Sequence, residues 1–244
     1  MKPDVVYHYH KGKYGTDTEI RYSIRSIEKY LDFNKLIIRG DLPSFANREI
    51  KHLNVRADKA TTKRVALFKH LDMLAGARAI INDKKISDDF YWMNDDFYLM
   101  KPYKIFPYFY NGTITEWNNR QDNWGSIGGK RSNVWQKYIN EIHTAFPDGL
   151  WYEVHCPILF NKQKLELLLN KYELQHVATI RSYYGNEYKV GGQNTSDYKL
   201  YRPEQIKKYK DAPFLSSANG VQYYPEYSRF MKLNFNKPSK YEKI

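Results

Sequence analysis

Residues Phe90 to Met100 read FYWMNDDFYLM, an aromatic, strand-like run broken by Asn94, Asp95 and Asp96 and resumed by Phe97, Tyr98 and Leu99. Adjacent carboxylates inside apolar sequence are costly unless their charge is compensated. The chain must therefore bring this point to solvent or to a ligand. One reading is a solvated Asx-type turn between two strands. The other is a pair of oxygen ligands for a hard divalent cation, Mn2+ or Mg2+.

The order of elements around that run defines the fold class. Val5 to Tyr9 reads as a short strand and Gly12 to Gly15 as a loop. A helix follows from Glu19 to Leu31, capped by Asp17 or Thr18, with Ile20, Ile24, Ile27 and Leu31 recurring on one face. Leu36 to Arg39 is a second strand closed by Gly40, and Leu53 to Arg56 a third. A helix over Thr62 to Ala75 directs Val65, Phe68, Leu71 and Ala75 inward, and Phe90 to Met93 is the strand that delivers the aspartates. Such alternation predicts an α/β fold, an open, mainly parallel sheet flanked by helices. Ligands of these sheets sit outside the carboxyl ends of the strands. Tyr7 to His10 and Asn94 to Asp96 both lie at such ends.

The second half is less regular. Trp151 to Phe160 reads as a strand whose pairing Pro157 limits, and Lys162 to Tyr172 as a helix buried through Leu165, Leu168, Leu169 and Tyr172. From Arg181 onward the chain is rich in Tyr, Gly, Asn and Lys, which predicts loops and short elements packed over the first half. Nothing resembles a linker, so residues 1–244 are expected to form a single domain.

Composition narrows the function classes. A content of 42% hydrophobic and 16% aromatic residues is globular and not disordered. No run approaches the ~18 apolar residues of a membrane span, and MKPDVVYHYHKGK lacks a signal-peptide core, so a cytoplasmic protein is expected. The single cysteine, Cys156, rules out an internal disulfide. Thirty-nine Lys and Arg against 27 Asp and Glu leave a net charge of +12, spread along the chain. That charge draws polyanions, although a lysine-rich surface alone produces the same number.

Candidate site residues follow from position and chemistry. Asp95 and Asp96 would hold the metal against a nucleotide-sugar diphosphate, with Asp96 in the catalytic centre and Asn94 beside the donor. Tyr7, at the end of the first strand, would stack on the donor's base. Arg21 and Arg25 share a helix face near an N-terminus suited to phosphate, and Arg64 is a further phosphate contact. Glu153 and His155, two apart on the expected strand, share a face as an acid–base pair, with His155 also a metal ligand. Cys156 points the other way and is not expected to be a nucleophile.

The segment EIRYSIRSIEKY (Glu19 to Tyr30), preceded by DVVY (Asp4 to Tyr7) and followed by MNDDFYLMKP (Met93 to Pro102), resembles the Stealth proteins. These are capsular-polysaccharide sugar-1-phosphate transferases, related to the lysosomal-enzyme phosphotransferase, with a GT-A-like nucleotide-sugar fold. His155-Cys156-Pro157 resembles the family's later His-x-Pro. NKPSKYE (Asn236 to Glu242) is similar to small glycosyltransferase-like proteins of phages and bacteria, which implies a host cytoplasm if the chain is phage-encoded. The resemblance implies a GT-A-like domain in which residues 1–102 bind the nucleotide-sugar and 103–244 face the acceptor. One departure stands out. The family continues its first strand with Thr-Trp-Val-Asp, where this chain has His8, Tyr9, His10 and Lys11. With a lysine in place of the acid, the chain fits ordinary glycosyl transfer by the same scaffold at least as well as phosphotransfer. The expectation is a Mn2+- or Mg2+-dependent glycosyltransferase with a polyanionic acceptor, preferably DNA carrying a hydroxymethylated base. The alternatives are a sugar-1-phosphate transferase acting on a cell-surface polysaccharide or teichoic-acid-like polymer, and a non-catalytic nucleic-acid-binding protein. In the last, tyrosines such as those of RSYYGNEYK (Arg181 to Lys189) would stack bases.

Overall fold

A computed structural model describes residues 2–11, 16–57, 65–119, 126–127, 130–131, 133–174, 176–218 and 220–243. The chain begins with β1 (Asp4–Tyr9), α1 (Thr18–Tyr30), β2 (Leu36–Gly40), β3 (Lys51–Leu53), α2 (Val65–Asn82) and β4 (Asp89–Asn94). Across the acidic turn come β5 (Phe97–Leu99), β6 (Phe109–Tyr110), α3 (Ile114–Asn119), β7 (Ser126–Ile127), β8 (Lys130–Arg131) and α4 (Asn133–Ala145). The last elements are β9 (Ile158–Asn161), α5 (Lys162–Lys171), α6 (Ile180–Glu187), β10 (Gln193–Asn194), β11 (Lys199–Leu200), α7 (Gln205–Tyr209), β12 (Phe214–Ser217) and α8 (Pro225–Asn234).

The central sheet has the order β3-β2-β1-β4-β9, parallel except for β9. The expected open, mainly parallel α/β sheet is therefore present. Every residue of β1 and β2 is buried, as in a sheet covered on both faces. On one face Val5, Tyr7, Ile38, Tyr91 and Met93 pack against Ile20, Ile24 and Ile27 of α1. On the other, Val6, Ile37, Phe90 and Trp92 meet Leu74, Ala77 and Ile80 of α2 and Leu165, Leu168 and Leu169 of α5. Because α1 leads to β2 on one side of β1 while β4 lies on the other, the strand order reverses at the β1–β4 boundary. Crevices form at such switch points.

A smaller sheet, β11-β12-β5, continues from the acidic turn, with β5 antiparallel to β12. The chain thus leaves one sheet and enters another across Asp95 and Asp96. Among the described residues no helix is long and apolar enough to cross a membrane.

Several expectations need correction. The third strand lies at Lys51–Leu53, before the expected Leu53 to Arg56. Helix α2 runs on to Asn82 and buries Leu74, Ala77 and Ile80, leaving Leu71 and Ala75 half-exposed; Gly12 to Gly15 and the expected start at Thr62 lie outside the described residues. Residues 151–157 are not a strand. Two of their carbonyls go to a side chain instead of a ladder: Arg181 Nη1 donates to Val154 O at 2.9 Å and Cys156 O at 2.5 Å. The tyrosine-rich segment after Thr179 is a buried helix, α6, whose Tyr183 and Tyr184 are 5% and 2% exposed. Those rings are core, so they do not stack bases.

Helix α6 fits there because residue 185 is glycine. Any Cβ at Gly185 would run into the Tyr152 ring. Gly185→Ala should destabilise the fold by ~1–3 kcal/mol through overpacking, read as a lower urea midpoint with unchanged slope. A wild-type midpoint would show that the contact relaxes freely.

Candidate active site

The acidic turn is positioned by serines. On α1, Ser23 and Ser26 lie three apart, fully buried, and both face β5. Ser23 Oγ donates to Phe97 O, and Leu99 N donates to Ser26 Oγ at 3.1 Å. On the edge of β5 not paired with β12, the Phe97 carbonyl and the Leu99 N–H are thereby satisfied by side chains, as buried backbone groups require. Tyr7 Oη bonds Ser23 Oγ at 2.7 Å, tying β1 to the same point.

Around the turn the chain gathers charge. Lys199 Nζ lies 3.9 Å from Asp96 Oδ2, with the side chains 17% and 19% exposed. Ser217 N donates to Asp96 O at 3.1 Å, and Ser217 Oγ donates to Glu19 Oε1 at 2.5 Å. Burial, and after it the like charge of Asp96, push the Glu19 carboxyl up to about 7 against the pull of Ser217 and Lys199. Asp95 adds its negative charge beside Tyr7 and Tyr9, whose hydroxyls burial already holds far from ionising.

His155 stands edge-on to Phe97, ring centroids 6.2 Å apart. Its Nδ1 is 2.6 Å from Asp197 Oδ2, and its backbone N donates to Asp197 Oδ1 at 3.1 Å. Burial would raise the Asp197 carboxyl, yet the His155 hydrogen bond and charge hold it below the usual carboxylate range. An ionised Asp197 only accepts, so Nδ1 carries the proton of this contact, and in the neutral form of the ring the lone pair lies on Nε2. This is the arrangement of a base with its orienting partner.

The structure separates the other expected residues from this cluster. Tyr7 is fully buried among the α1 isoleucines and does not stack on a ligand. Arg25 is committed to Glu242, with Nε–Oε1 2.6 Å and Nη2–Oε2 2.8 Å, and Arg21 Nε lies 3.7 Å from the same carboxylate. The shared face of these arginines is real, but Phe235 O and Glu242 take up Arg25, while the Arg21 side chain stays 41% exposed. Glu153 does not share a face with His155. Its carboxylate accepts from Ser182 N at 2.9 Å and so caps the first turn of α6, where the Thr179 side chain makes no cap. Cys156 is buried, which pushes its thiol up to about 12 and keeps it inert. Asn94 ends β4 in register with His8. Arg64 lies outside the described residues.

Glu19, Asp197, Lys199 and Ser217 are members of the cluster that the sequence reading missed. Glu19 opens the EIRYSIRS motif, and Asp197 and Lys199 are two apart in a segment read as loop. Among the described residues no three His, Cys, Asp or Glu side chains are gathered as a metal cage, so the structure does not group His155 with Asp95 and Asp96 in that way. A pair of adjacent carboxylates still fits a cation shared with phosphates, since Mg2+ sites commonly use one or two carboxylates plus substrate oxygens.

On the opposite face of β1, His8 stacks on Trp92, ring centroids 3.8 Å apart, and neither ring nitrogen has a hydrogen-bond partner. Beside it, Arg39 is buried in a forked pair with Asp72, Nη1–Oδ2 2.5 Å and Nη2–Oδ1 2.9 Å.

No family model matches the chain, and no curated protein sequence matches it; Stealth membership is thus not supported by either. Among solved structures, mouse xyloside xylosyltransferase 1 in its apo form aligns over 90% of this chain and 98% of its own, at 11% identity and a TM-score of 0.42. The galactosyltransferase LgtC, in complex with donor and acceptor sugar analogs, aligns over 97% and 98%, at 9% identity and a TM-score of 0.48.

His8 gives a pH prediction. Burial, then the charges of Arg39 and Arg181, hold it well below its ordinary 6.5. The unfolded chain takes up a proton near 6.5 that the folded protein refuses. This stability is therefore present above that pH and is lost as pH falls below it, by at most about 1.4 kcal/mol per unit. His8→Phe keeps the stack on Trp92 and removes the proton, so its urea stability should fall less between about pH 7 and about pH 5.5. Equal slopes in the two proteins would show that His8 protonates freely in the fold.

Proposed function

We infer that the protein is a metal-dependent glycosyltransferase that moves a sugar from a nucleoside-diphosphate sugar to an acceptor hydroxyl, on a single GT-A-like domain. One observation carries this reading: Asp95 and Asp96 form the turn between two sheets at the carboxyl end of β4, beside the β1–β4 switch point, with the Asp197–His155 pair on the residue that follows them. Residues 1–102 would serve the donor and 103–244 the acceptor. Asp95 and Asp96 would hold Mn2+ or Mg2+ together with the donor diphosphate, and Asn94 would line the donor side. A cation bound there neutralises the leaving diphosphate. His155 Nε2 would take the acceptor proton as the acceptor oxygen bonds to the anomeric carbon. The bond from that carbon to the diphosphate breaks, and its electron pair leaves with the diphosphate.

The net charge of +12 supports a polyanionic acceptor, and DNA with a hydroxymethylated base is the acceptor we propose to test. The hydroxymethyl group supplies the nucleophilic oxygen that ordinary pyrimidines lack at that position. A labelled nucleotide-sugar panel with Mn2+ should mark hydroxymethylated DNA and leave ordinary DNA unmarked. Label on a polysaccharide or polyol-phosphate, and on no DNA, would transfer the assignment to a cell-surface acceptor.

Asp96→Asn should abolish metal-dependent donor turnover, read as nucleotide release with Mn2+ present. Unchanged turnover would remove Asp96 from the centre. Asp197→Asn and His155→Ala should each lower kcat by ~10²–10⁴-fold with little change in donor KM. A change in donor KM alone would place the pair in binding instead of proton transfer.

A further inference from the structure

Lys199 stands where a partly buried acidic turn needs a cation. It is carried by β11, which pairs with β12, which in turn pairs with β5, so the sheet that begins at the turn also delivers the ammonium. Its Nζ, 3.9 Å from Asp96 Oδ2, is close enough to offset the carboxylate's charge and too far to be hydrogen-bonded to it. A lysine ammonium is a compact point charge on a flexible four-carbon stem, suited to changing partners. Asp197 and Glu19 flank it and feel the same charge.

Building on the donor-binding reading above, we propose that Lys199 and the divalent cation compete for Asp96, and that the displaced ammonium moves onto the donor's diphosphate as its leaving-group cation. Without metal, Lys199 neutralises the turn and keeps the carboxylates tolerable in a half-buried place. With metal and donor present, the nearest uncompensated anion is the diphosphate. There the ammonium stabilises the electron pair released when the bond between anomeric carbon and phosphate oxygen breaks. The acceptor oxygen bonds to that carbon, and its proton passes to His155.

The two halves of this role predict effects of opposite sign. Mn2+ binding to the full chain, followed by electron paramagnetic resonance, is measured beside donor turnover for wild type, Lys199→Met, Lys199→Arg and Asp96→Asn. Lys199→Met, which removes a competing positive charge 3.9 Å from the carboxylate, should bind Mn2+ ~10–100-fold more tightly than wild type and yet lose ~10²–10³-fold in kcat. Lys199→Arg should keep wild-type Mn2+ affinity and recover part of the turnover. A merely structural lysine would weaken both quantities together, which overturns the proposal. If Lys199→Met folds poorly, Lys199→Gln removes the same charge with a polar tip and carries the same expectations. Wild-type Mn2+ affinity in the charge-removed variants, with binding abolished in Asp96→Asn, would sink the competition and leave the metal reading standing. Absence of Mn2+ binding in every variant and in wild type would sink both.

Discussion

The architecture around the acidic turn depends on how α1 satisfies the edge of β5. A strand of three residues that starts immediately after a pair of carboxylates has little pairing of its own. β12 takes one edge; Ser23 and Ser26 take the other. Replacing those hydroxyls by apolar groups would leave a buried carbonyl and a buried N–H unpaired, at ~1–3 kcal/mol each. The same helix packs Ile20, Ile24 and Ile27 onto the central sheet, so the position of the turn is coupled to the main core. Tyr7, bonded to Ser23 from β1, closes the loop of contacts. Its role is to hold the site, not to line it.

A second constraint acts at the carboxyl end of β2. Arg39 is 2% exposed, and its charge survives burial only because Asp72 of α2 meets it with a carboxylate fork and a backbone carbonyl at 2.5 Å. Gly76 makes room, since a Cβ there would strike the guanidinium. Removing one partner of such a pair leaves an uncompensated buried charge, typically costing 3–5 kcal/mol. α2 is thus pinned to β2 by a polar contact as well as by Leu74, Ala77 and Ile80, beside the His8 ring whose pKa burial, and after it the charge of the same arginine, hold well below its ordinary value.

The parts of the fold legible in the sequence are those set by local pattern. The isoleucine spacing of α1 and the β-branched runs of β1 and β2 report burial directly, because a residue's face is fixed by its helical or strand period. Asp95 and Asp96 were legible because charge inside an apolar run has few explanations. The misreadings share a different cause. Trp151 to Phe160 has strand composition, but only its end from Ile158 is in a strand, and Arg181, some 25 residues later, takes the Val154 and Cys156 carbonyls that a longer ladder would need. Arg21 and Arg25 form the face that their spacing predicts, and only the return of Glu242 from the far end of the chain decides what they bind. Glu153 is claimed by α6 in the same way. Long-range partners override local pattern, and no spacing within the segment announces them. The strand order that sets Asp197 and Lys199 beside the turn was equally invisible. The pair sits in a stretch of Asn, Thr, Ser and Tyr whose polarity reads as loop.

Charge around the turn also has an internal logic. Asp95, Asp96 and Asp197 bring negative charge to one place, and Glu19 would add to it. Glu19 is instead pushed up to about 7, first by burial and then by Asp96, so near neutrality it carries its charge only part of the time. Asp197 stays ionised because it holds His155, and that bond dictates which imidazole nitrogen is left free. One carboxylate is softened toward its neutral form and another is spent orienting a base. The charge of Asp96 is met at the turn by Lys199. A cluster that tolerates its own carboxylates in this graded way is pre-arranged to receive positive charge at the turn and to move a proton at His155. Those are the separate demands of a leaving diphosphate and an incoming hydroxyl.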